Sequence, residues 1–237
     1  MKTYWPVILF ISCGAVLTLL HSFAPSRSPL SRIHSKFSTQ QKTVALTFDD
    51  GPNPPFTEEL LKILDRHEVS ATFFFSGKNI KMHRNTALKV VNAGHEIANH
   101  GFSHQSFWRL SPQAVVDEIT RTDALIASLG VPHSSAPIRP PFGSYSPQFT
   151  LALWRLNRIG AGFSLQPSPP DYYRSDPEMM ERSLLADIES GDIVLLHDGE
   201  GIRTETLDAV NRLITSLKQR GFNFVTFSKS LHTHQNI

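Results

Sequence analysis

The sequence predicts an α/β fold, a distorted and incomplete (β/α)7 barrel, on three observations. Seven short apolar runs of strand length alternate with amphipathic stretches, which implies a mostly parallel sheet joined by helical crossovers. The polar residues able to do chemistry follow the ends of those runs, and loops at the carboxyl ends of barrel strands converge on one rim. Seven units is one fewer than the usual eight, so imperfect closure is expected.

In chain order, Tyr4 to Leu20 form a nearly uncharged apolar segment behind Lys2, with the length of a secretory signal or a short membrane anchor. Residues 1–24 are therefore expected to export the chain or tether it. Residues 25–41, with Ser, Pro and scattered basic side chains, read as a linker, and the folded domain is expected over 42–237. The strands are expected at Val44–Phe48, Ala71–Phe75, Glu96–Asn99, Pro137–Arg139, Ala161–Leu165, Asp192–Leu196 and Asn223–Phe227. Ser111-Pro112, Ser146-Pro147 and Asp176-Pro177 mark helix starts, because proline is tolerated at the first helical position. Gly94, Gly130 and Gly221 stand where helix C-caps belong. In the last long helix Leu207, Val210, Leu213, Ile214 and Leu217 form one apolar stripe, read as packing.

The 237 residues are 40% hydrophobic, ordinary for a globular protein with a sizeable core. The formal charge of +2 belongs to the leader and linker: of 23 basic residues Lys2, Arg27, Arg32 and Lys36 precede residue 42, so 19 face 21 acids beyond it. A domain at −2 lacks the basic stripe of a nucleic-acid binder. The single cysteine, Cys13, lies in the leader, which excludes a disulfide within the domain or a thiolate metal site there.

Four stretches carry the candidate chemistry. In Thr47-Phe48-Asp49-Asp50-Gly51-Pro52 two adjacent carboxylates end an apolar strand. Neighbouring strand side chains point to opposite faces, so a core-facing carboxylate needs a partner or a metal. The Gly-Pro that follows lets the chain turn and aim both acids into one cleft, as an acid/base pair or as part of a metal site. Asn99-His100-Gly101-Phe102-Ser103-His104 places two histidines four apart beyond the third strand. One carboxylate and two imidazoles make the three protein ligands of an open catalytic metal site. Alone, the histidines would read as solvent-facing; Asp49 and Asp50 on the same rim favour the metal.

Arg139-Pro140-Pro141-Phe142-Gly143 stiffens the backbone with two prolines and fixes the direction of the next N–H, that of Phe142. Beside a metal such a donor can stabilise an oxyanion; standing alone, the stretch is a rigid turn. Ile193-Val194-Leu195-Leu196-His197-Asp198-Gly199 is a buried strand delivering a histidine to the rim. An ordinary pKa of ~6.5 suits histidine to proton donation near neutrality, and a structural role is the alternative.

Over roughly Lys42 to Leu231 the chain resembles the polysaccharide deacetylases of carbohydrate esterase family 4, the nodulation-protein-B homology domain. Thr-Phe-Asp-Asp-Gly-Pro, His-x-x-x-His, Arg-Pro-Pro-aromatic-Gly and Leu-x-His occur here in that family's order. The resemblance implies that Asp49 is the general base and that Asp50, His100 and His104 bind a divalent metal. It implies that Arg139 orients and tunes Asp49 and that the Phe142 N–H serves the oxyanion. Leu195 would line the acetyl methyl pocket beside His197, the general acid. Two positions depart from the family pattern. Phe142 replaces a common tyrosine, which leaves the main-chain N–H but removes a phenol hydroxyl. Asp171-Tyr172 is the nearest match to the usual Asp-Trp, placing Asp171 on the Arg139 side of the site and Tyr172 in a sugar-stacking wall.

The implied reaction is hydrolysis of N-acetyl groups on N-acetylglucosamine-type residues of a polysaccharide or oligosaccharide such as chitin oligomers or peptidoglycan, releasing acetate. Zinc suits the ligand set; cobalt, nickel, iron and manganese can also occupy it. Removal of O-acetyl groups and non-catalytic glycan binding by an anchored module are the alternatives. The protein is expected to be exported and monomeric, to touch a membrane only through its N-terminal segment and to bind no nucleic acid.

Overall fold

The computed structural model describes residues 32–132 and 136–232. The leader expected over 1–24 lies outside them. Among the described residues no helix is long and apolar enough to cross a membrane.

Among the described residues there are seven strands: β1 Ile33–His34, β2 Thr43–Asp49, β3 Thr72–Phe75, β4 Glu96–Asn99, β5 Gly160–Ala161, β6 Ile193–His197 and β7 Asn223–Phe224. The main ladder runs β4-β3-β2-β6, all parallel, with β7 paired to the start of β2. The rest of the ring is thinner. β1 pairs β5, and single bridges link Asn99 to Ile138, Ile138 to Gly160 and Leu165 to Val194. The ladders do not close, which agrees with a distorted, incomplete barrel.

Three expected strands are corrected. The one expected at Asn223–Phe227 stops at Phe224, and Phe227 already begins a helix. Pro137–Arg139 shrinks to a one-residue bridge at Ile138, because prolines on both sides cannot donate to a ladder. The strand expected at Ala161–Leu165 ends at Ala161 and pairs again only at Leu165. Residues 32–41, expected as the end of a linker, are fixed to the domain. Ile33 and Phe37 are buried, and Lys36 pairs with Glu189 at 2.7 Å and Asp192 at 3.1 Å. A two-residue strand in a Ser-rich stretch shows no periodicity, so the sequence hides it.

Among the described residues eight α-helices accompany the strands: α1 Phe56–Arg66, α2 Gly77–Met82, α3 Arg84–Asn92, α4 Pro112–Ser128, α5 Pro147–Arg155, α6 Pro177–Asp187, α7 Thr204–Gln219 and α8 Phe227–His232. The expected caps form: Ser111, Ser146 and Asp176 accept from the N–H groups of Ala114, Phe149 and Met179. Such a cap contributes typically ~1 kcal/mol.

Strand alternation sorts the core and positions the chemistry. Along β2, Val44, Leu46 and Phe48 face outward into the largest apolar cluster, with Leu60 and Leu64 of α1 and Val210, Leu213, Ile214 and Leu217 of α7. Ala45 faces the barrel interior with Phe74, Ala98, Ala161 and Ile193, and Phe227 of α8 plugs this cluster. By the same period Thr47 and Asp49 also point inward. On β6, Val194 and Leu196 face the helices, which turns Leu195 and His197 inward. Register then sets Asp49 beside both Phe74 and His197.

Candidate active site

Asp49 meets Arg139, whose side chain is 1% exposed. The guanidinium donates to Asp49 Oδ1 at 2.7 Å, to Thr47 Oγ1 at 2.8 Å and to the Gly162 carbonyl at 2.8 Å. It lies 4.1 Å above the Phe74 ring. A buried cation needs a counter-charge, and removing one partner of such a pair costs about 3–5 kcal/mol. Asp49 Oδ1 is thereby engaged, while Oδ2 lies 3.9 Å from His100 Nε2.

Asp50 stands past the strand end at φ 74, which breaks the alternation and brings its carboxylate to the same rim. Its Oδ1 lies 2.8 Å from His104 Nε2 and 3.1 Å from His100 Nε2. Neither contact has hydrogen-bond geometry, so this buried oxygen has no hydrogen-bond partner. One carboxylate oxygen and two imidazole nitrogens, all within 4.8 Å of one another, fit the donor set of a divalent cation. Burial pushes the Asp50 carboxyl up, but His100 and His104 outweigh it and hold the group well below the usual carboxylate range. The loop between the histidines is tied down by Glu118 of α4, whose Oε2 accepts from the Phe102 and Ser103 N–H groups at 2.9 and 2.7 Å.

Asp171 is not on the Arg139 side of the site, and that expectation is corrected. It sits under His197, accepting from His197 Nδ1 at 2.8 Å and from the His197 main-chain N–H at 2.7 Å. Thr206 of α7 bonds the same carboxylate at 3.4 Å. The sequence could not show this, because the turn carrying Asp171 reaches β6 only in three dimensions. Burial lowers the His197 pKa, but Asp171, with Asp49 and Asp50 behind it, prevails and raises it to about 9. His197 is thus an imidazolium at neutral pH, and the Tyr172 ring stands edge-on to it at 5.5 Å.

These groups share one cleft of about 450 Å³, lined by Asp49, Asp50, His100, His104, Arg139, Phe142, Tyr172, Leu195 and His197 among others. Nine of the ten residues singled out from the sequence line it, and Asp171 touches it through His197. A family model for polysaccharide deacetylases matches residues 36–159. A chitooligosaccharide deacetylase of Bradyrhizobium sp. (strain ANU 289) is 33% identical over 192 residues, covering 76% of this chain and 87% of that protein. The chain belongs to the polysaccharide deacetylase family. Among relatives of this family, a bifunctional xylanase/deacetylase of Pseudobutyrivibrio xylanivorans is 33% identical over 223 residues, 91% of this chain and 34% of that protein. The crystal structure of a peptidoglycan N-acetylglucosamine deacetylase superposes with a TM-score of 0.79 at 28% identity, covering 84% of this chain and 92% of that one.

In this member of the deacetylase family Phe142 adopts φ 58; the residue is 71% exposed, and its ring lies 4.5 Å from the His104 ring. Three residues that sequence reasoning passed over support the site: Glu118, Asp198 and Glu200. Asp198 follows His197 directly, which was the available signal. Its carboxyl accepts from Thr57 at 2.5 Å, and burial, with Asp50 and Asp49 nearby, raises its pKa to about 7 against the opposing Thr57 bond and Arg203. The Asp198 and Gly199 N–H groups both donate to the Asp49 carbonyl, at 3.2 and 3.1 Å.

The β6 loop therefore lies directly on the Asp49-Asp50 turn, and a Cβ on Gly199 would fall 2.0 Å from the Asp50 carbonyl carbon. Gly199→Ala is expected to displace Asp50 and destabilise the fold by about 1–3 kcal/mol. Thermal melts of the two proteins check this; an unchanged melting temperature refutes it.

Proposed function

We propose that the protein is a metal-dependent deacetylase that hydrolyses N-acetyl groups on N-acetylglucosamine-type residues of a polysaccharide and releases acetate. The carrying observation is the division between two adjacent carboxylates. Asp50 is converged on by two imidazoles, while Asp49 is held by Arg139 with Oδ2 left toward the cleft. Asp50, His100 and His104 would hold a divalent cation, with zinc the expected occupant, and when bound it would supply a lowered pKa for water and polarisation of the acetamido carbonyl.

The chain's own groups supply the proton traffic. Asp49 accepts the proton of the attacking water, and Arg139 holds its other oxygen so that Oδ2 keeps its aim. The Phe142 N–H donates to the carbonyl oxygen as it gains charge, an interaction whose loss typically costs ~3 kcal/mol. As the C–N bond breaks, His197 protonates the departing nitrogen, which as a free amide anion would be too poor a leaving group. Asp171 stabilises the imidazolium until that moment. Leu195 packs against the acetyl methyl and Tyr172 offers a ring to the sugar. The apolar segment Tyr4 to Leu20 supports export, which suits an envelope or extracellular glycan, and the protein is taken as a monomer.

The names of the relatives support N-acetylated glycans: chitooligosaccharide for one and peptidoglycan N-acetylglucosamine for another. O-acetyl removal is the second reading, favoured by the xylanase/deacetylase relative. Acetate release from chitooligosaccharides, peptidoglycan and acetylated xylan, before and after chelation, separates them. The expected result is acetate from the N-acetylated substrates, falling at least about 100-fold on metal removal and returning with zinc. Acetate from xylan alone would establish the second reading, and acetate insensitive to chelation would remove the metal from the mechanism.

A further inference from the structure

Seven non-glycine residues among those described have φ in the left-handed region, and four of them line the cleft: Asp50, His104, Phe142 and Glu200. Such backbone conformations persist only where the surroundings enforce them, and they cluster at functional sites. The first three carry two of the three candidate ligands and the N–H discussed above. Glu200, at φ 53, has no part in that chemistry.

Glu200 lies between Gly199 and Gly201 in the loop that leaves β6. Its side chain is 57% exposed, yet Oε1 lies 3.0 Å from His104 Nδ1. The other histidine is backed at the same ring nitrogen by a hydrogen bond, His100 Nδ1 lying 2.8 Å from the Arg139 carbonyl oxygen, whereas Glu200 approaches His104 Nδ1 at ion-pair distance and needs only a small rotation of its exposed side chain to align. Both rings thus present Nε2 to Asp50 Oδ1 and are backed at Nδ1 by an oxygen. For the buried His100 that oxygen is main chain, which no substitution can remove. For the more exposed His104 it is a side-chain carboxylate. An imidazole donating its Nδ1 proton keeps the Nε2 lone pair free for a cation, and a carboxylate acceptor makes that lone pair more basic.

We propose that Glu200 is a positioning residue of the metal site: its carboxylate accepts the Nδ1 proton of His104, fixing ring and tautomer and raising the affinity of Asp50, His100 and His104 for a divalent cation. This rests on the metal-dependent reading above. The β6 loop then serves the site at two points, carrying the proton donor His197 at its start and the backing of a metal ligand three residues later.

The test is cation affinity without substrate. Metal-free full-length wild type, Glu200→Ala and Glu200→Gln are titrated with cobalt(II), followed by its visible absorption, and with zinc in competition with a chromophoric chelator. Glu200→Ala is expected to weaken both ions by about 10–100-fold and to alter the cobalt spectrum. Glu200→Gln, whose amide oxygen can accept the same proton, recovers most of that loss, and the melting temperature of the metal-free protein is unchanged in both variants. An alanine variant that binds both ions like the wild type overturns the inference and leaves the deacetylase reading intact. A glutamine variant as weak as alanine overturns the hydrogen-bond assignment. Wild type that binds neither ion overturns the inference and the metal-dependent reading together.

Discussion

Asp49→Asn is expected to lower kcat by about 10²–10⁴-fold, the range typical of a lost general base, while cation affinity stays near that of wild type. The asparagine carbonyl can still accept from Arg139, which keeps its bonds to Thr47 and Gly162. The side chain therefore stays in place but can no longer take a proton. Removing the counter-charge of a buried guanidinium also destabilises the fold, by up to about 3–5 kcal/mol if nothing rearranges. The measurement is single-turnover acetate release, with a thermal melt and zinc titration on the same sample. Activity within tenfold of wild type in a folded, zinc-loaded Asp49→Asn protein would sink the assignment of the base.

Asp171→Asn should move the alkaline limb of the pH–rate profile toward acid. The proposed donor His197 must be protonated, and in the wild type it stays so up to about pH 9 because Asp171 outweighs its burial. Without the carboxylate only burial and the more distant Asp49 and Asp50 remain, so the pKa falls toward its ordinary value and activity at pH 8 drops. A bound cation repels the imidazolium and shifts both proteins the same way, so the difference between the profiles is diagnostic.

The same shift predicts stability. The folded-state pKa of His197 lies above its unfolded value, so the extra stability is fully present below pH 6.5 and is lost as pH rises through about 9. It amounts to roughly 3 kcal/mol in the metal-free protein and should largely vanish in Asp171→Asn. Chemical denaturation at pH 6 and pH 9.5 measures it. Identical alkaline limbs in the two proteins would mean that Asp171 does not hold the proton on His197.

The site was legible where chemistry and strand ends coincide along the chain. Asp49, Asp50, His100, His104, Arg139 and His197 each sit at or just past an apolar run, so the strand pattern that revealed the barrel also pointed to its rim. Legibility failed where a residue acts on one distant in sequence. Asp171 precedes His197 by 26 positions and meets it because its turn folds over β6. Glu118 reaches Phe102 and Ser103 from the middle of a helix whose pattern announces only packing. Glu200 sits in a Gly-Glu-Gly loop with no periodicity at all, and its partner is nearly a hundred residues away.

The strands failed in the same way at the barrel's weak side. β1 has two residues, and Ile138 pairs alone between prolines. Too few consecutive side chains alternate there for a period of two to show.

By itself, then, the sequence determined the α/β alternation, the residue types at the strand ends and the absence of cysteine chemistry in the domain. These follow from local periodicity and composition, which a linear string carries in full. Only the tertiary structure decided which carboxylate pairs with Arg139, which meets two imidazoles, and which raises the pKa of His197. The reason is physical: those assignments depend on strand register and on loops turning through left-handed backbone at Asp50, His104 and Glu200, and register is set by packing among elements far apart in the chain.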